Sequence, residues 1–262
     1  MATAKSPLTQ FGYNLVAWPK TDIVPLLLLY QSEQGVSSLE AGLRELFGTG
    51  DAAPPQVKKE IEAADIKGSA TLTFEAKGGV KLLDWLLNKL KMGKLSAGFE
   101  LNEGYEVAVS YSNVRIDSVN LLDLDTYLSA SVPKRERLNT FRKKLENNEL
   151  FVINSIAKSN DISILISDKN GQDVNLDASV KGIVEANGSF ARKRDNSVEL
   201  SYKAENPLVF AFKAQQIIYQ KKRFWSNQDE KFYIRDQQGS VLFGPEDIPT
   251  NALKTGEDLV DI

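Results

Sequence analysis

Segments that alternate apolar and polar residues with period two constrain this chain most, because such a strand can bury only one of its two faces. Residues 68 to 76 put Ala70, Leu72, Phe74 and Ala76 on one face and Ser69, Thr71, Thr73 and Glu75 on the other. Residues 105 to 116 set Tyr105, Val107, Val109 and Tyr111 against Glu106, Ala108, Ser110 and Ser112, then slip in phase near Asn113 before Val114 and Ile116. The slip predicts a bulge. Residues 172 to 184 place Val174, Leu176, Ala178 and Val180 opposite Asn175, Asp177, Ser179 and Lys181, and residues 197 to 204 carry Val198, Leu200 and Tyr202. These last two are expected to face each other across a connector holding Asn187-Gly188 and Asp195-Asn196. A soluble antiparallel sheet with one wet face gives this pattern. So does a transmembrane β-barrel, whose strands need roughly 9 to 11 alternating residues, and four such segments would make two hairpins.

Between these segments the pattern changes repeatedly. Ser6-Pro7 through Gly12 reads as a short helix, and Tyr13 to Trp18 and Ile23 to Tyr30 as a strand pair joined by Pro19-Lys20-Thr21-Asp22. Leu26 to Leu29 is apolar on both faces and belongs at the centre of a sheet. Ser37 and Glu40, three apart before Leu39, Leu43, Leu46 and Phe47, predict a capping box and a helix ended by Gly48-Thr49-Gly50, with residues 51 to 60 an exposed loop. Leu82, Leu83, Leu86, Leu87 and Leu90 form an apolar stripe at helical spacing. Two further helices are expected through Leu121 to Leu128 and through Leu138, Phe141 and Leu145. Leu150 to Ala157 and Ile162 to Ser167 should pair across Lys158-Ser159-Asn160, and Val209 to Tyr219 and Phe232 to Ile234 are the remaining strands. The sum is an α+β fold: a twisted, largely antiparallel central sheet flanked by helices.

Composition narrows the chemistry. With no Cys and no His, a disulfide, a thiolate or imidazole zinc site and a histidine triad are all impossible. Carboxylate chemistry survives, with Asp84, Asp123, Asp125, Asp161 and Asp168 as candidates, but no metal-loop spacing accompanies them and a solvated surface explains them as well. No cofactor is expected, since Gly48-Thr49-Gly50 lacks the lysine and third glycine of a phosphate loop. Basic and acidic residues nearly balance, 32 against 35, which argues against nucleic acid as a partner. Met1 to Gln10 has no signal-peptide core, and the longest apolar run, Ile23 to Tyr30, falls far short of the ~20 residues of a spanning helix. A cytoplasmic resting state is expected, and entry into a membrane would have to be by strands or a surface helix.

Three basic clusters interrupt this balance: Lys134, Arg135, Arg137, Arg142, Lys143 and Lys144; Arg192, Lys193 and Arg194; and Lys221, Lys222 and Arg223 before Phe224-Trp225. Charged surface is the plain explanation; contact with anionic lipid, worth roughly 1 kcal/mol per basic residue, is the functional one. From Pro245 to Ile262 five acids meet the single Lys254, a net charge of −4 that leaves the first 244 residues near +1.

The opening Phe11-Gly12-Tyr13-Asn14-Leu15-Val16-Ala17-Trp18-Pro19-Lys20, followed by Asp22-Ile23-Val24-Pro25-Leu26, resembles the start of bacterial gasdermins, in which a G-Y-N-φ-V strand leads through a proline turn to I-x-P-L. The resemblance implies a pore-forming protein of bacterial antiviral defence, not an enzyme, with a body of residues 1–242 held monomeric by an autoinhibitory peptide, 243–262. A caspase-like protease would cut near Leu242, Phe243 or Gly244. The released body would then oligomerise in the cell inner membrane. On this reading Leu259, Val260 and Ile262 anchor the peptide; Leu72, Phe74, Tyr105, Val107, Val109, Tyr111, Val174, Leu176, Val180, Val198, Leu200 and Tyr202 belong to membrane-inserting strands. Arg192, Lys193, Arg194, Lys221, Lys222 and Arg223 meet anionic lipid. Family members commonly carry an acylated cysteine near the N-terminus; here the positions hold Ala2, Thr3, Ala4 and Lys5, so palmitoylation through Cys is impossible. Two other classes fit the same pattern: a cytosolic binding or scaffold module, and a small carboxylate enzyme.

Overall fold

Leu28 and Leu29 point to opposite faces, as do Phe151 and Val152, and all four are buried, so their strands need a layer on each side. In the computed structural model this requirement organises the sheet. The structure describes residues 12–32, 35–49, 52–62, 69–75, 84, 88, 105–134, 141–168, 191–194, 197–220, 231–235 and 259–260. Its elements are β1 (Asn14–Lys20), β2 (Leu27–Ser32), β3 (Gly35–Gly42), α1 (Leu43–Leu46), β4 (Phe47–Thr49), β5 (Val57–Glu62), β6 (Ser69–Glu75), β7 (Tyr105–Ser112) and β8 (Arg115–Val119). They continue with α2 (Leu121–Ser129), β9 (Ser131–Pro133), α3 (Arg142–Glu146), β10 (Leu150–Asp168), β11 (Ala191–Arg194), β12 (Ser197–Gln220), β13 (Lys231–Arg235) and β14 (Leu259–Val260). Among the described residues no helix is long and apolar enough to cross a membrane.

The chain divides into two units. One holds residues 12–61, 116–157 and 209–262, with strand order β14-β1-β12-β10-β2-β3. On one face of its sheet Leu28, Leu150, Val152, Ile217, Phe232 and Ile234 pack with Leu43, Leu46, Leu124, Leu128 and Leu145 from the helices. On the other, Val16, Ile23, Leu29, Phe151, Ile153, Val209 and Phe212 form a second core. The other unit holds β6, β7, the C-terminal part of β10, β11 and the N-terminal part of β12.

Several expectations are met. β2 is central, between β10 and β3. α2 forms where predicted, and Asn120 caps it by accepting the N–H groups of Leu122 (2.8 Å) and Asp123 (3.4 Å) at its side-chain oxygen. At the expected phase slip the chain leaves β7 at Ser112 and enters β8 at Arg115, with Asn113 between them at a left-handed φ of 53°.

Others are corrected. β1 does not pair with β2 but with β12 and β14. Val24, Pro25, Leu26 and Leu27 form a tight turn, Leu27 N–H donating to Val24 O at 3.2 Å and Leu26 at φ 70°, and this sends β2 away to β10. The helix expected from Ser37 is the strand β3 followed by the four-residue α1. Ser38 Oγ accepts Glu40 N–H at 3.0 Å, closing a local bend at a left-handed Glu40 (φ 52°), and pairing with β2 outweighs the capping signal. The last part of the predicted loop 51–60 is the charged strand β5. Leu150 to Ser167 is one strand, not a hairpin: Lys158-Ser159-Asn160 has no Gly or Pro to turn it. Of the third predicted helix, Arg142–Glu146 is seen as α3, and Leu138 lies outside the described residues. The predicted N-terminal helix lies outside the described residues; of the helix expected through Leu82 to Leu90 only Asp84 and Asn88 are described, both helical.

Candidate functional site

Period-two alternation dictates three strands whose like residues fall in rows. β7 pairs antiparallel with β6 on one side and with β10 on the other. The register gives apolar rows Ala70/Tyr111/Ile162, Leu72/Val109/Ile164 and Phe74/Val107/Ile166. Between them lie Thr71/Ser110/Ser163, Thr73/Ala108/Leu165 and Glu75/Glu106/Ser167. Val107, Val109, Tyr111, Ile162, Ile164 and Ile166 are buried. The structure therefore brings Leu72 and Phe74 opposite Val109 and Val107, and sets Tyr105 opposite Asp168. The third member of each row, from β10, was missed by assigning Ile162 to Ser167 as a partner of Leu150 to Ala157. Its signal was the continuous phase of Ile162, Ile164 and Ile166 and the missing turn residues. At the root of these strands Ser159 Oγ donates to Ser112 O and accepts Asp161 N–H at 3.0 Å.

The second pair of segments is seen in part. Val198 and Leu200 are buried, with Tyr202 half-buried, and the observed partner is β11: Arg192↔Glu199, Lys193↔Val198, Arg194↔Ser197. Val174, Leu176 and Val180 lie outside the described residues.

β14 joins the outer edge of β1 in parallel, Leu15↔Leu259 and Val16↔Val260, while β12 pairs with β1 on the other side. Leu15 and Val16 are both buried. Tyr13, just before β1, bonds Ser155 Oγ through its hydroxyl at 3.1 Å and lies under Lys213 Nζ, 4.5 Å from the ring centroid. Leu242, Phe243, Gly244 and Ile262 lie outside the described residues, as do Lys221, Lys222 and Arg223.

Three residues of the first basic cluster are committed to structure, while Lys143 is exposed and Arg135 and Arg137 lie outside the described residues. Lys134 Nζ donates to Arg44 O at 2.8 Å at the end of α1; Arg142 pairs with Glu146 at 2.9 Å; Lys144 pairs with Glu149 at 2.6 Å and donates to Gln31 O at 2.7 Å. Three of the candidate carboxylates are structural or solvated too. Asp84 accepts from Asn88 one helical turn on, Asp123 is exposed, and Asp125 accepts Ile234 N–H at 3.3 Å while burial pushes its carboxyl above the usual range. Among the described residues no three acids cluster as metal ligands.

This is an α+β protein of the gasdermin fold: it is similar to the structure of a bacterial gasdermin from Bradyrhizobium tropiciagri, with a TM-score of 0.51 and 16% identity, covering 84% of this chain and 89% of that one. The family model described as Bacterial Gasdermin Family matches residues 16–239. Gasdermin bGSDM of Gillisia limnaea is 44% identical over 261 residues, 98% of both chains, and a gasdermin bGSDM from an unknown prokaryotic organism is 30% identical over 263 residues, again 98% of both. The chain belongs to the bacterial gasdermin family, whose members are pore-forming proteins and not enzymes.

Proposed function

We propose that this protein is an autoinhibited pore-former of bacterial antiviral defence, cytoplasmic and monomeric at rest. The observation that carries the reading is the tail strand β14 lying along the outer edge of β1. A two-residue parallel strand is a weak contact. It holds only while the covalent tether keeps its effective concentration high. Cutting by a caspase-like protease near Leu242, Phe243 or Gly244 makes the contact bimolecular, and the peptide 243–262 leaves together with its net charge of −4.

The body of residues 1–242 then meets anionic lipid of the inner membrane, with Arg192, Lys193, Arg194, Lys221, Lys222 and Arg223 as the contacting charges. Strands containing Leu72, Phe74, Tyr105, Val107, Val109 and Tyr111, and Val174, Leu176, Val180, Val198, Leu200 and Tyr202, turn their apolar rows to lipid. Strands can stand in lipid only as a closed barrel, so insertion requires several copies. The described parts of β6 and β7 are seven and eight residues, and a crossing needs ~9 to 11, so the inserted strands include residues that flank these spans.

The test is dye release from anionic liposomes with a cleavable site placed between Leu242 and Ile248. Leakage is expected only after the cut. A protein truncated after Phe243 that stays monomeric and inert on the same liposomes sinks the reading.

A further inference from the structure

β1 is held on two sides by different means, and only one of them lies in the tail. On its outer edge Leu15 and Val16 pair with Leu259 and Val260 of β14. On its inner side it pairs with β12, Asn14 opposite Phe212 and Leu15 opposite Ala211, and β12 in turn pairs with β10. Tyr13, one residue before β1, reaches across that intervening strand: its hydroxyl lies 3.1 Å from Ser155 Oγ on β10, and both residues are buried. Lys213 of β12 sits over the Tyr13 ring, Nζ 4.5 Å from the centroid, and so holds the ring in place across the strand. A second polar link joins the same two strands close by, Gln215 Nε2 on β12 donating to Asn154 Oδ1 on β10 at 3.2 Å. The residues around these links, Val152, Ile153, Ile156, Phe212 and Ala214, are buried and apolar.

A buried hydroxyl pair of this kind adds little net stability, since each group gives up water to reach the other. Its use lies in what it joins. Among the described residues β14 pairs with β1 alone, and Tyr13 stands directly before the stretch that β14 covers, so a loosening of β1 that begins at its outer edge meets this bond next. Both partners belong to the body, 142 positions apart, and a cut near Leu242 leaves their bond intact. We infer that Tyr13 is a second hold on β1, one that survives the cut and has to give way before the freed body converts. Loss of the tail opens one edge of β1, while the Tyr13–Ser155 bond and the Lys213 contact still fasten its start to the middle of the sheet. A bond made at rest and lost on conversion holds the resting state back by its own worth; a bond kept in both states shifts nothing. The inference rests on the autoinhibited pore-forming reading and adds the residue that sets the interval between cutting and leakage.

The test uses the full chain with a cleavable site between Leu242 and Ile248, and times dye release from anionic liposomes against the appearance of the cut product on a denaturing gel. Tyr13→Phe keeps the ring under Lys213 and removes only the hydroxyl. Tyr127→Phe is the control: it removes another buried hydroxyl, one on α2 that donates to Phe47 O at 3.2 Å, outside β1, β10 and β12. Uncut, every protein should stay silent. After the cut, the delay before leakage should shorten about 2- to 10-fold in Tyr13→Phe and in Ser155→Ala, and the double variant should be no faster than either single one. Tyr127→Phe should keep the parent's delay even where its urea midpoint falls as far as that of Tyr13→Phe. A Tyr13→Phe delay equal to or longer than the parent's overturns the hold, and so does an equal gain in speed by Tyr127→Phe, which would make the effect one of general stability. Leakage from uncut Tyr13→Phe overturns the second place given to this hold. Should Tyr13→Phe not fold, Ser155→Ala carries the same expectation and the same refutation. No leakage from any cut protein, the parent included, overturns the pore-forming reading and this inference with it.

Discussion

Asn113 holds a left-handed backbone at the joint between β7 and β8, a conformation that costs most side chains roughly 1–2 kcal/mol. Asn113→Gly should leave the urea midpoint close to the parent, whereas Asn113→Val should lower stability by about 1–2 kcal/mol. Asp125 makes a separate claim. Burial raises its folded pKa above the ordinary 3.8, so between the two values the native state binds more protons than the unfolded chain, and stability falls as pH rises through that window. Asp125→Asn retains an oxygen for Ile234 N–H and discards the charge. Its urea midpoint should exceed the parent's at pH 7, and the two should converge below pH 3.8.

At the level of elements, β10 is the strand on which the sequence reading and the structure differ most usefully. Alternation alone recovered β6, β7 and the N-terminal part of β12, because one buried face leaves a period-two trace. It split β10 at Lys158-Ser159-Asn160, since polar residues there look like a turn when their partners are unknown. Ser159 is in fact buried, its hydroxyl serving Ser112 O, and that partner is 47 residues distant. Ser159→Ala removes the hydroxyl that bonds Ser112 O and Asp161 N–H and should cost about 0.5–1.5 kcal/mol in chemical denaturation. The same locality explains β3: Ser37 and Glu40 satisfy a helix-start rule, yet pairing with β2 decides the conformation. The tail strand was legible only in its residues. Leu259 and Val260 stood out as apolar positions in an acidic tail, but β1 as their partner could not be read from either segment. Leu28, buried completely between β10 and β3, should cost about 2–5 kcal/mol as Leu28→Ala.

Across the whole molecule charge is unevenly placed: five acids against one lysine in the last eighteen residues, and a body near +1. If removal of that tail licenses contact with anionic lipid, leakage by the cut protein should fall steeply as salt rises from low to physiological concentration, and vesicles of neutral lipid should leak far less. Equal leakage in both lipids would assign the tail's acids no part in the switch.

The pairing of Val16 with Val260 joins positions 244 apart in the chain. During synthesis at about 5–20 residues per second, roughly 12 to 50 s pass between the making of these two partners. Throughout that interval a nascent β1 has no β14 to cover it. If β14 is the lock proposed above, copies held side by side by neighbouring ribosomes on one message are all unlocked until their last residues emerge, and a chain released before those residues are made would need no protease to free it.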